Sequence, residues 1–229
     1  MPLYKKNEFM RRQKFGFWTE QPFYRWTQRM TAVTFGALGK LESHGSENIP
    51  RRGGVILLSN HVSYLDPFII GTAAHREIHY MARHDVFRIP GLRQFIVALN
   101  AYPVRRGAAD RGALKHTLSL LKAGKVVLIF PEGTRSVDGT LGKAHDGVSF
   151  IVHSADVPTI PVFLKGTILP RNAKCIRPTQ LSATFGSPLD FNEVRQIADR
   201  RELYRRMGEQ IMQSIAELRD ESANRLVRK

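Results

Sequence analysis

Two uninterrupted apolar runs, Val55-Ile56-Leu57-Leu58 and Val126-Val127-Leu128-Ile129-Phe130, limit what this chain can fold into. A strand with one wet face alternates apolar and polar residues, whereas a strand covered on both faces reads apolar throughout. Both runs therefore belong inside a sheet with helices on each side. Ile78 to Met81 and Ile160 to Leu164 fit further strands, and Leu181 to Phe185 alternates as an edge strand would. Helical spacing appears at 91–99, with Leu92, Phe95, Ile96 and Leu99 on one face, and at 111–122, through Leu114, Leu118 and Leu121, ended by Gly124. It recurs at 147–156, and at 191–219 with Tyr204, Met207, Ile211, Ile215 and Leu218 inward. Strands alternating with helices give an α/β domain built on a mixed, largely parallel sheet flanked by helices.

The amino-terminal stretch has another character. Residues 1–40 hold Lys5, Lys6, Arg11, Arg12, Lys14, Arg25, Arg29 and Lys40 against only Glu8 and Glu20. The same stretch holds both tryptophans, Trp18 and Trp26, among nine aromatics. Cationic heads interleaved with amphipathic rings suit a helix lying at the headgroup level of a membrane. A helical pair packed on the domain would use aromatics too. No segment reaches the roughly 18 apolar residues a membrane span needs, and the basic, aromatic start lacks the apolar centre of a secretory signal. A polar linker at 43–48 divides the chain into an interfacial motif, 1–42, and a larger domain, 43–229.

Charge adds to this. The chain of 229 residues carries a formal net charge of +15, so its surface favours polyanions, either nucleic acid or anionic lipid. No zinc-finger, RNA-recognition or zipper pattern accompanies the charge, which makes a nucleic-acid-binding protein the weaker alternative. A lone cysteine, Cys175, excludes a disulfide within the chain and fits a reducing compartment. The histidines show no paired spacing for a metal.

Chemistry gathers where the two buried strands end. After the first stands Ser59-Asn60-His61-Val62-Ser63-Tyr64-Leu65-Asp66-Pro67, at the kind of position where α/β folds place ligands. Histidine titrates near neutral pH and acts well as a base when a carboxylate fixes its tautomer. On a regular helix, residues five apart face different ways, but a turn before Pro67 could join His61 to Asp66. A turn histidine with Asp66 as a helix cap fits the same residues. After the second strand comes Phe130-Pro131-Glu132-Gly133-Thr134-Arg135-Ser136. Gly133 permits close backbone approach, Thr134 and Ser136 offer hydroxyls, and Arg135 offers a fork matched to a phosphate. Glu132 would repel a phosphate, and fits better as a group orienting Arg135 or an acceptor hydroxyl. Tyr102-Pro103-Val104-Arg105-Arg106-Gly107 adds two guanidinium groups, which alone read as a solvated charge run.

The Asn60-His61 pair with Asp66, followed by the run Phe130 to Ser136, closely resembles the glycerolipid acyltransferase family. Ala101 to Gly107 is similar to that family's block with a phosphate-binding arginine, at Arg106, and Val157 to Val162 to its last block. The resemblance covers about residues 45–190. It implies a mixed α/β sheet preceded by an amphipathic two-helix membrane-binding motif. It also implies transfer of a fatty acyl group, from acyl-CoA or acyl carrier protein, to the sn-2 hydroxyl of lysophosphatidic acid, giving phosphatidic acid. Glycerol 3-phosphate, another lysophospholipid or a non-glycerol lipid is the alternative acceptor. His61 would be the base and Asp66 its orienting partner. Asn60, Arg105, Arg106, Glu132, Gly133, Thr134 and Arg135 would hold the acceptor. Lys143 would stand in for a family lysine whose place His145 takes, and Asn100 replaces a frequent glycine. No metal or cofactor is implied, and the expected location is the cytoplasmic face of the cell membrane, peripheral or monotopic.

Overall fold

A computed structural model describes residues 22–38, 41–105, 110–167 and 181–227. The first half of the aromatic arm, Arg106 and Cys175 lie outside the described residues.

The first described element is helix α1, Pro22–Leu38, followed by strand β1, Leu41–His44. Strand β2, Val55–Ser59, leads into helix α2, Asp66–Ala73, and strand β3, Ile78–Arg83. Helix α3, Leu92–Ala98, strand β4, Ala101–Val104, and helix α4, Arg111–Lys122, come next. Strand β5, Val126–Ile129, helix α5, Asp146–Ala155, and strand β6, Thr159–Lys165, follow. Strand β7, Leu181–Phe185, and helix α6, Arg200–Val227, complete the set.

The seven strands form one sheet in the order β1-β7-β6-β2-β5-β3-β4, parallel throughout except where β7 meets β6. β2 and β5 lie side by side at the centre with Leu58 opposite Ile129. Pleating sends alternate residues of β2 to opposite faces. Val55 and Leu57 join a core with Tyr24, Ile70 and Ile96, under α1, α2 and α3. Ile56 and Leu58 join a second core with Leu121, Ile151, Met207 and Ile211, under α4, α5 and α6. All five residues of β2 are buried, which is the physical reason the run is apolar throughout.

Several local signals explain where elements begin and turn. The Asp110 carboxylate accepts from the N–H groups of Gly112 and Ala113, at 3.1 and 3.2 Å, and so starts α4. Asn100, at the turn from α3 into β4, has φ 65°. That left-handed conformation favours glycine and tolerates asparagine best among the others, which accounts for the residue found there.

Three expectations change. β7 is not an edge: all five residues are buried between β1 and β6. Leu181, Ala183 and Phe185 enter the first core, and Ser182 and Thr184, on the opposite face, are buried on the side where α6 packs. The edges are β1, whose residues 43–44 read as linker, and β4, where Pro103 removes one backbone donor. The last helix begins at Arg200 because Asp199 accepts from the N–H groups of Arg201 and Glu202, while 194–196 forms a separate turn. Finally, Ile96 and Leu99 of the 91–99 segment are buried, but Leu92 and Phe95 face outward.

Candidate active site

Parallel register at the centre of the sheet brings the two motif loops together. Because Leu58 pairs with Ile129, Asn60 and His61 emerge beside Pro131 and Glu132. The loops then bond directly: Ser136 N–H donates to the His61 carbonyl at 2.8 Å, and the His61 N–H donates to Glu132 Oε1 at 3.4 Å.

Residues 61–65 are not helical, and the turn folds the ring of His61 back onto the first residue of α2. His61 Nδ1 lies 2.8 Å from Asp66 Oδ2. The same oxygen accepts from Val62 N–H at 2.7 Å and Ser63 N–H at 2.8 Å, and the carboxylate is fully buried. Two backbone N–H groups at the N-terminal end of a helix converge on this one oxygen, so it serves as an acceptor towards the ring as well. Its third donor is then Nδ1–H, which leaves the lone pair on Nε2. Asp66 therefore acts on the loop before α2 rather than capping that helix, whose first turn receives no side-chain cap from it.

The His61 ring stacks on Phe130 with centroids 3.9 Å apart and planes 17° from parallel. Bond and stack restrain the imidazole in two directions, and the side chain keeps 15% exposure, enough for a ligand to reach it. Phe130 opens the second motif, but its residue type gives no sign of this contact, since an aromatic ending a buried strand reads as core. Tyr64 is equally unmarked by its type. It is exposed between His61 and Asp66, and Arg135 Cζ lies 3.6 Å from the centre of its ring, in a cation–π contact.

The other candidates separate into supports and exposed groups. Asn60 is buried, and its amide donates to the Leu164 carbonyl at 3.0 Å while accepting from Leu164 N–H at 2.8 Å. It ties the end of β2 to β6, and its side chain is used in that bracket rather than turned to a ligand. Glu132 is buried too; its second oxygen, Oε2, accepts from Gly142 N–H at 3.1 Å. Instead of orienting Arg135, it clamps the His61 turn to the 139–145 loop. Gly133 has φ 63°, and a Cβ there would stand 2.6 Å from His145 Cδ2, so both conformation and space require glycine. His145 precedes α5 and donates its N–H to the Pro131 carbonyl at 3.0 Å. Thr134, Arg135 and Lys143 are exposed on this rim. Arg105 is exposed beyond β4, its N–H bonded to Asp110, and its neighbour Arg106 lies outside the described residues.

Several known proteins resemble this chain over most of its length. A family model described as Acyltransferase matches residues 40–165. The 1-acyl-sn-glycerol-3-phosphate acyltransferase of Bacillus subtilis is 26% identical over 197 residues, covering 85% of this chain and 96% of that one. A chloroplastic 1-acyl-sn-glycerol-3-phosphate acyltransferase of Brassica napus is 31% identical over 142 residues, 60% of this chain and 41% of that one. Among solved structures, the 1-acyl-sn-glycerophosphate (LPA) acyltransferase PlsC from Thermotoga maritima superposes with a TM-score of 0.66 at 26% identity. That match covers 86% of this chain and 79% of that one.

Proposed function

This chain belongs to the acyltransferase family, and from that premise we propose that it acylates the sn-2 hydroxyl of lysophosphatidic acid to give phosphatidic acid. The observation that carries the mechanism is the 2.8 Å contact between His61 Nδ1 and the buried Asp66 carboxylate. It leaves Nε2 as a base at the mouth of the site. In the proposed reaction Nε2 takes the proton of the acceptor hydroxyl as that oxygen attacks the thioester carbonyl of acyl-CoA or acyl carrier protein. The tetrahedral intermediate collapses, the C–S bond breaks, and the imidazolium returns its proton to the departing thiolate. Asp66 stabilises the imidazolium through its ionic hydrogen bond. The proposed transfer uses no metal and no cofactor beyond the donor's thiol carrier, because the thioester is already an activated acyl group.

Acceptor recognition is proposed for the exposed rim. Arg135, with Thr134 and the Gly133 backbone, meets the phosphate on one side, and Arg105 and Lys143 add positive charge; Arg106, outside the described residues, is proposed with them from the family resemblance alone. The names of the relatives support lysophosphatidic acid over the other acceptors. No described helix is long and apolar enough to cross a membrane. We place the protein as a peripheral enzyme on the cytoplasmic face, held by residues 1–42 as an interfacial motif, with 43–229 as the acyltransferase domain. Purified protein, a radiolabelled acyl donor and a panel of lyso-acceptors test the reading. His61→Ala should lower turnover at least about a hundredfold with the fold intact, and Asp66→Asn should also be severe. Near-normal turnover of folded His61→Ala protein would overturn the mechanism, and preference for glycerol 3-phosphate would overturn the acceptor.

A further inference from the structure

The spacing of residues 91–99 predicts Leu92 and Phe95 turned inward, yet both are exposed. Every residue from Arg88 to Phe95 is exposed. Ile89, Leu92 and Phe95 are 52%, 37% and 42% exposed. Single exposed apolar residues are ordinary on a protein surface, but these three are grouped. The three lie three residues apart on one short stretch. The Phe95 ring sits 6.1 Å from that of Phe68 on α2, which joins the stretch to the helix that opens with Asp66.

A second apolar ridge lies in the same layer. Trp26, Met30 and Val33 of α1, spaced as neighbours along one face of a helix, are also exposed. Tyr24 of α1 and Ile96 of α3 enter one core on one side of the sheet, so both ridges belong to the same helical layer. Charge identifies the occupant. The 88–95 stretch carries Arg88 and Arg93 and no carboxylate, in a chain of net charge +15. A second copy of the chain would set these arginines against their own kind, whereas an anionic lipid surface meets both the apolar side chains and the cations.

We propose that Arg88–Phe95 is a second lipid-inserting element, on the catalytic domain itself, which seats Ile89, Leu92 and Phe95 in an anionic bilayer alongside the α1 ridge. This rests on the membrane part of the proposed function. It adds that the domain touches the bilayer directly, so the His61 loop is oriented towards lipid by two contacts rather than hung from one arm.

The test uses the full chain with Cys175→Ser, checked first for acyl transfer. A spin label is placed at Leu92→Cys or, as a control on the opposite helical layer, at Gln213→Cys. With vesicles of phosphatidylglycerol and phosphatidylcholine, the label at 92 should gain collision with oxygen and lose collision with a water-soluble nickel complex. The label at 213 should change in neither. Leu92→Ser/Phe95→Ser should weaken vesicle binding roughly tenfold or more, while transfer to a short-chain, water-soluble acceptor stays unchanged. A label at 92 that remains fully accessible to nickel in vesicle-bound protein overturns the second contact and leaves the acyl transfer standing. Failure of the intact protein to bind these vesicles overturns the second contact together with the membrane placement.

Discussion

On one side of the sheet, α6 turns Leu203, Met207, Ile211, Ile215 and Leu218 into the core and displays Glu202, Arg205, Arg206 and Glu209 as an ion-paired outer face. On the other side, α1 buries Tyr24 and Thr27 yet leaves Trp26, Met30 and Val33 outward. A helix that meets only core and water separates apolar from charged residues by face, and α6 does so. α1 carries apolar residues outward as well as inward, the pattern expected of the interfacial contact proposed above. The two layers rest on the same strands and use the same packing. They differ in what their outer surfaces are built to meet.

The comparison can be broken at its dry end first. Ile211→Ala removes a side chain buried in the second core, and should cost about 2–5 kcal/mol of stability. Urea unfolding measures the loss, and activity per folded molecule should hold. A cost under about 1 kcal/mol would mean that α6 does not close the core tightly.

The same layer should also be the acid-sensitive one. His79 is buried, and desolvation, with lesser repulsion from Lys125 and His116, holds its pKa down at about 4. Its unfolded value is about 6.5. Between those values the unfolded chain binds the extra proton, so this contribution to stability is complete above about pH 6.5 and is lost as pH falls towards 4. The full loss is on the order of 3 kcal/mol. Denaturation of the native protein and His79→Gln at pH 7 and pH 5 should show a shallower acid dependence in the variant. Equal dependence would remove His79 from the account.

The smallest effect on stability belongs to the opposite layer. Trp26→Ser with Met30→Ser should change unfolding free energy by no more than about 0.5 kcal/mol for each site, while binding to anionic vesicles weakens. A loss of 2 kcal/mol or more would show that these side chains serve the fold, and the contrast between layers would collapse.

Much of the architecture could be read from local pattern. The apolar runs of β2 and β5 are legible because burial on both faces constrains every residue of a strand. α4 is legible because its apolar spacing and its closing Gly124 agree. β1, Leu-Glu-Ser-His, is not legible because a short edge strand has little apolar content, and β4, although apolar, is only four residues long and interrupted by Pro103. Helical spacing begins nine residues before α6 because Phe191, Val194 and Ile197 continue the apolar pattern, while the helix itself starts at Arg200 behind the Asp199 cap.

At the site, residue types were legible and contacts were not. His61, Asp66 and the 130–136 run stand out by chemistry and resemblance. Yet Glu132 and Asn60, assigned to the acceptor, hold backbone: Glu132 bonds His61 N–H and Gly142 N–H, and Asn60 brackets Leu164. Side-chain chemistry tells what a group can bond, but a backbone N–H leaves no mark in a sequence. Phe130 stacking on His61 was equally invisible, since an aromatic that ends a buried strand looks like core.

By itself, then, the sequence determined which segments must be covered on both faces and which residues can take a proton or grip a phosphate, because burial and ionisation are properties of residue types and their spacing. Tertiary structure decided that β2 lies beside β5, which brings His61 within bonding distance of a carboxylate 71 residues away. It also decided that Leu92 and Phe95 face outward. Strand order and the outer face of a helix are settled by which neighbours pack against them. A periodic pattern states only that a face is apolar, and leaves open whether protein or lipid will cover it.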